Sequence, residues 1–100
     1  MKRIIYPGTF DPIHYGHIDI TRRASRLFDE VYICVSDNQH KNPLFSHKER
    51  VEMIEECTSD LDNVSAYSNP NNLVVNFADS KDAVAIIRGL RHVSDFELEF

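Results

Sequence analysis

The chain has only three glycines, at positions 8, 16 and 89, among its 100 residues. Neither the G-x-G-x-x-G dinucleotide fingerprint nor a P-loop can be written with them, and both are absent. Cysteine is as scarce, and Cys34 and Cys57 sit in apolar contexts with no second ligand nearby. They read as reduced core thiols, which argues against a disulfide framework and suits a cytoplasmic protein. No Cys or His cluster has metal spacing. Aliphatic runs are short, as in "VAII", so no segment could span a bilayer. Pro7 and Gly8 interrupt the apolar start too early for a signal peptide. A formal charge of −5 disfavours generic binding to nucleic acid or anionic membrane. Positive charge for an anionic ligand would have to be gathered locally.

What is present alternates regularly. With 42% hydrophobic residues the chain is one domain's worth, residues 1–100. Residues 2–6 predict a strand ended by Pro7-Gly8. From Gly16, Ile20, Ala24, Leu27 and Phe28 fall at helical spacing. "VYICV" (31–35) has the near-continuous apolarity of a strand buried on both faces. Ser46 and Glu49 form a capping box, after which Val51, Ile54 and Cys57 mark one face of a second helix. "VSAY" (64–67) predicts a third strand, Leu73, Val74, Phe77 and Ala78 a third helix, and "VAIIR" (84–88) a fourth strand. Ser94 and Glu97 repeat the capping signature and predict another helix. The expected fold is an α/β, Rossmann-like parallel sheet of order 3-2-1-4, its fifth strand missing, with helices on both faces. Ligands bind such sheets beyond the carboxyl ends of the strands, where strand order reverses. The reversal falls between strands 1 and 4, whose loops are "PGTFDPIHYGH" and "RGLRH".

Those loops carry the unusual chemistry. Gly8 permits a turn that a Cβ would hinder. Thr9 offers a hydroxyl, and Asp11 before Pro12 is turn-forming. His14, Gly16 and His17 lead into a helix N-terminus, where free N–H groups and the dipole favour anions. The bland alternative is a tight turn capped by Thr or Asp, with solvated histidines. Arg88 and Arg91 flank Gly89 at the end of a buried strand and suit bidentate phosphate binding, unless they pair with Asp95, Glu97 or Glu99. Lys41 follows strand 2 and emerges on the same edge. Thr9, His17, Lys41, Arg88 and Arg91 together bind anions without an obvious base. That suits phosphoryl or nucleotidyl transfer, where positioning and charge stabilisation dominate.

"GTFDPIHYGH" resembles the T/HxGH signature of the nucleotidyltransferase superfamily. Extended to "YPGTFDPI-x-x-GHIDI", with "IRGLR-x-x-x-DFE-x-E", "FSHKERVEMI" and "NLVVNFA", the chain is similar to bacterial phosphopantetheine adenylyltransferases. The resemblance implies adenylyl transfer from ATP, with Mg²⁺, to 4′-phosphopantetheine in coenzyme A biosynthesis. It implies that His17 stabilises the transition state and also meets ATP, and that Thr9, Phe10, Gly89, Leu90, Arg91 and Glu99 bind ATP. Thr9, Lys41, Val74 and Arg88 would bind the acceptor. A homohexamer with coenzyme A feedback is also implied. His14 stands where the family often has Thr. Family members continue to an ISSS/T-type motif, so the resemblance implies an incomplete domain whose 100 residues alone are inactive. The rival readings are a nucleotidyltransferase acting on nicotinamide mononucleotide or glycerol phosphate, and a module that binds nucleotide or coenzyme A without turnover.

Overall fold

β-Branched and aromatic residues build the centre of the sheet. The computed structural model describes residues 2–36, 44–68, 83–88 and 97–99, with Arg88 and 97–99 described through their main chain alone. Its elements are β1 (Arg3–Gly8), α1 (Tyr15–Leu27), β2 (Glu30–Val35), α2 (His47–Cys57), β3 (Val64–Ser68), β4 (Ala85–Arg88) and β5 (Glu97–Glu99). The sheet order is β3-β2-β1-β4-β5, and β3, β2, β1 and β4 are mutually parallel. The expected 3-2-1-4 core is therefore present.

Two expectations about the strands need correction. β1 does not stop at Tyr6 but runs on through Pro7 and Gly8, which pair with Cys34 and Val35. Pairing with β4 covers only Ile4 and Ile5, so Pro7 lies where one side of the strand has no ladder to break. The helix expected to begin at Ser94 is also not seen over 97–99. Glu97–Glu99 form a short antiparallel strand on β4, with Arg88 opposite Glu97 and Ile86 opposite Glu99. The free edge of β4 is a template of unpaired N–H and C=O groups, and strand pairing satisfies them. The fifth position, expected empty, is thus occupied.

Val31 to Val35 are all buried, as a strand covered on both faces should be. One face carries the main core, in which Ile20 and Ala24 of α1 and Ile54 of α2 meet Ile4, Tyr6, Val31, Ile33, Val35, Ala85 and Ile87. Ile5, Tyr32 and Cys34 form a smaller cluster on the other face. Both described helices lie on the first face; the third helix expected over 73–78 lies outside the described residues. Leu27, expected in the core, is exposed, and the cap residue Phe28 packs there instead. Cys57 is also exposed, whereas Cys34 is buried; both thiols are free. The inward row of α2 is Arg50, Ile54 and Thr58, spaced by four, which turns Cys57 outward. Among the described residues no helix is long and apolar enough to cross a membrane.

Candidate functional site

The strand-order reversal puts the loop after β1 beside the end of β4, and the loop's geometry begins with Gly8. Its φ is not in the left-handed region, so the expected need for a special turn is not what selects glycine. The Phe10 ring folds back over it, and a Cβ on Gly8 would lie 2.9 Å from Phe10 Cε2. The left-handed residue is Phe10 itself, at φ 48°, a conformation that costs about 1 kcal/mol or more. Packing supports it. The ring is 2% exposed, stands edge-on to Tyr6 at 5.1 Å and meets His17 at 4.7 Å.

Asp11 has the structural role its place before Pro12 suggests. Its carboxylate accepts hydrogen bonds from Leu44 N (2.6 Å) and Phe45 N (2.9 Å), binding the loop to the segment that starts α2. His14 is not a loosely solvated side chain but the N-cap of α1. Its Nδ1 accepts from Gly16 N at 3.1 Å, while His17 Nδ1 accepts from His14 N at 3.1 Å. This is a capping box written with two histidines, and the two rings stack at 3.7 Å. Spacing i, i+3 at a helix start was the available signal for it.

The cap fixes the chemistry of His17. A neutral imidazole has one donor and one acceptor nitrogen; with Nδ1 accepting, the proton sits on Nε2. Burial, and secondarily the charge His14 can carry, lower the pKa of His17 from 6.5 to about 4. At neutral pH His17 therefore offers a fixed, neutral Nε2–H donor. No acidic residue occupies the first turn of α1, so no carboxylate repels an anion there, although the His14 cap already takes up the Gly16 N–H. Tyr6, beneath the ring, is pushed up to about 12 by burial and stays neutral.

Thr9, Phe10 and His17 are thus brought to one place, with the Thr9 side chain exposed. Arg88 ends β4 at the same edge of the sheet, beside the end of β1. Glu99 lies opposite Ile86, two residues short of that edge. Lys41, Val74, Gly89, Leu90 and Arg91 lie outside the described residues. Among the described residues, no group of three His, Cys, Asp or Glu side chains could hold a metal ion. Sequence reasoning missed Arg50. It is fully buried, and its guanidinium donates to Thr9 O (3.1 Å) and Ser46 O (3.3 Å). The available signal was a cation four residues before Ile54, on the apolar face of α2.

The chain is similar to known proteins along its whole length. The chain is 54% identical over 99 residues to phosphopantetheine adenylyltransferase of Clostridium novyi, covering 99% of this chain and 61% of the relative. It is 49% identical over 100 residues to phosphopantetheine adenylyltransferase of Opitutus terrae, covering 62% of that protein. The chain thus spans about three fifths of the length of these curated relatives. Among solved structures, a lipopolysaccharide core biosynthesis protein from Thermoplasma volcanium superposes with a TM-score of 0.70 at 26% identity, over 86% of this chain and 72% of that one. A bifunctional NMN adenylyltransferase/ADP ribose pyrophosphatase from Francisella tularensis gives 0.65 at 22% identity, over 85% of this chain and 30% of its own, and shows the shared fold. The cytidylyltransferase-like family matches residues 5–100, nearly the whole sequence, and the chain belongs to that family.

Proposed function

We propose that this domain transfers the AMP portion of ATP to 4′-phosphopantetheine, forming dephospho-coenzyme A and releasing pyrophosphate. The observation that carries the proposal is His17, held by the His14 cap as a neutral Nε2–H donor at the start of α1. The choice of acceptor draws on the names of the two curated relatives. An oxygen of the acceptor phosphate attacks the α-phosphorus of ATP, and the bond to the pyrophosphate oxygen breaks. A phosphate monoester has a second pKa of about 6, so the nucleophile is already anionic at neutral pH and needs no base. That agrees with a loop rich in donors and poor in bases. Charge building on the equatorial oxygens of the pentavalent phosphorus meets His17 Nε2–H and the N-terminus of α1.

In this reading Thr9, Phe10, His17, Gly89, Leu90, Arg91 and Glu99 bind ATP, while Thr9, Lys41, Val74 and Arg88 hold the acceptor. Mg²⁺ arrives chelated by the phosphates of ATP, as part of the substrate. A cytoplasmic homohexamer with coenzyme A as feedback ligand completes the proposal. The two free thiols are in keeping with a reducing compartment, and exposed Tyr15, Leu27 and Leu44 supply apolar surface for association. Mass spectrometry of the products from ATP, Mg²⁺ and 4′-phosphopantetheine, with the chain extended to the full length of its relatives, tests the reaction. Dephospho-coenzyme A is expected. Turnover confined to CTP with glycerol phosphate, or to nicotinamide mononucleotide, would reassign the acceptor; binding without turnover would remove the enzyme reading.

A further inference from the structure

We propose that Arg50 is a positioning residue that sets the Thr9–Phe10 peptide, and through it the Phe10 ring, for the reaction at His17. The inference rests on the adenylyl-transfer reading and adds a residue to it. Its evidence is independent of any ligand. Arg50 is 0% exposed, although an arginine on a short helix would ordinarily reach solvent. Its side chain spans two segments far apart in sequence: Nε donates to Ser46 O, one turn back, and Nη1 donates to Thr9 O, 41 residues away. The planar fork of a guanidinium can hold two carbonyls in a fixed relation, which an ammonium cannot.

The held carbonyl matters because Phe10 is the next residue. Thr9–Phe10 is a trans peptide, so Phe10 N–H points away from the guanidinium that holds Thr9 O. Phe10 then adopts its left-handed φ of 48°. A bulky residue persists there only when its surroundings over-determine it. Arg50 fixes the carbonyl before it, the Asp11 carboxylate fixes the turn after it through Leu44 N and Phe45 N, and the Phe10 ring in between rests on His17. Both tethers end on the segment that starts α2. Without Arg50 the Thr9 carbonyl loses its tether, and the Phe10 ring beside His17 is left to packing and the Asp11 turn alone.

Arg50→Met and Arg50→Lys, made in this chain for the resonance readout and in a chain of its relatives' full length for turnover, are compared with their parents and test this by two readouts. In substrate-free protein, the ¹⁵N–¹H signal of the Phe10 amide and the ring signals of His17 should both shift in Arg50→Met. Signals of β2 and β3 should remain in place. In turnover, Arg50→Met should lower kcat by about 10²-fold, the size seen when one preorganised donor is lost. The KM for ATP should change by less than about 3-fold. Arg50→Lys, which can reach one carbonyl but not both, should fall between the two. If Arg50→Met fails to fold, Arg50→Lys decides alone: unshifted Phe10 and His17 signals with parental kcat would overturn the proposal. A parent without turnover would sink the adenylyl-transfer reading, while the resonance readout would still decide whether Arg50 positions the loop.

Discussion

Protonating His17 is the perturbation that tests the site's electrostatics most sharply. The folded pKa of about 4, against 6.5 for a free imidazole, means that between these values the unfolded chain binds a proton that the folded one does not. Unfolding is then favoured by acid. Stability contributed by neutral His17 is fully present above about pH 6.5 and is lost as pH falls toward 4. At 1.36 kcal/mol per pKa unit the whole shift would be worth about 3 kcal/mol. The ring is only partly buried, so solvent screening reduces this to about 1–2 kcal/mol. The local cost is also visible in geometry, because a proton on Nδ1 would face His14 N–H across 3.1 Å and break the cap. His17→Gln supplies the control: Gln retains an acceptor for a capping box but does not titrate. Urea unfolding from pH 4 to 7 should show a steeper acid loss in the parent than in His17→Gln, by that 1–2 kcal/mol. Imidazole ¹⁵N shifts should report the Nε2–H tautomer down to pH 5. A midpoint above 6, or an Nδ1–H tautomer, would refute the reasoning.

Other consequences are separately measurable. Gly8→Ala places a methyl 2.9 Å from Phe10 Cε2; it should cost about 1–3 kcal/mol, typical of overpacking, and shift the ring signals of Phe10 and His17. Parental stability in urea would show that the ring yields freely. Asp11→Ala removes the two hydrogen bonds to Leu44 N and Phe45 N and should cost about 1.5–3 kcal/mol in the same assay, with a loss below about 0.5 kcal/mol counting against the tether. A thiol reagent should label Cys57 quickly and Cys34 only on unfolding, since one is exposed and the other buried; equal rates would contradict the orientation of α2.

How much of the molecule is legible from residues alone varies with the range of the interaction. β2 and the Ser46–Glu49 capping box depend on neighbours in sequence, and the structure has both, with Glu49 N bonded to Ser46 Oγ and Ser46 N to Glu49 Oε1. Strands alternating with helices make β1, β2 and β3 parallel neighbours, and the reversal to β4 on the other side of β1 puts the loop after β1 beside the end of β4. That is why those two segments can be named as the candidate site from sequence. Arg50 is not legible, because its partners are backbone carbonyls and one of them is 41 residues away. The role of Gly8 is hidden for a related reason, since the atom that excludes a Cβ belongs to a ring two residues on. Leu27 and Cys57 mislead because apolar spacing locates a helix face only to within a residue or two at the last turn. The Ser94–Glu97 pattern misleads because the same residues also occur in extended chain, and Glu97–Glu99 form β5.

The most direct test is the rate of pyrophosphate release from ATP and 4′-phosphopantetheine, at about pH 7.5, by the chain extended to its relatives' full length and by the His17→Ala variant of that longer chain. With His17 as a transition-state donor, kcat should fall by at least about 10²-fold, the loss expected for one oxyanion-type donor, with substrate Kd values changed only a few-fold. A variant that turns over at near the parental rate would contradict the assignment of His17 and with it the mechanism built on the α1 terminus.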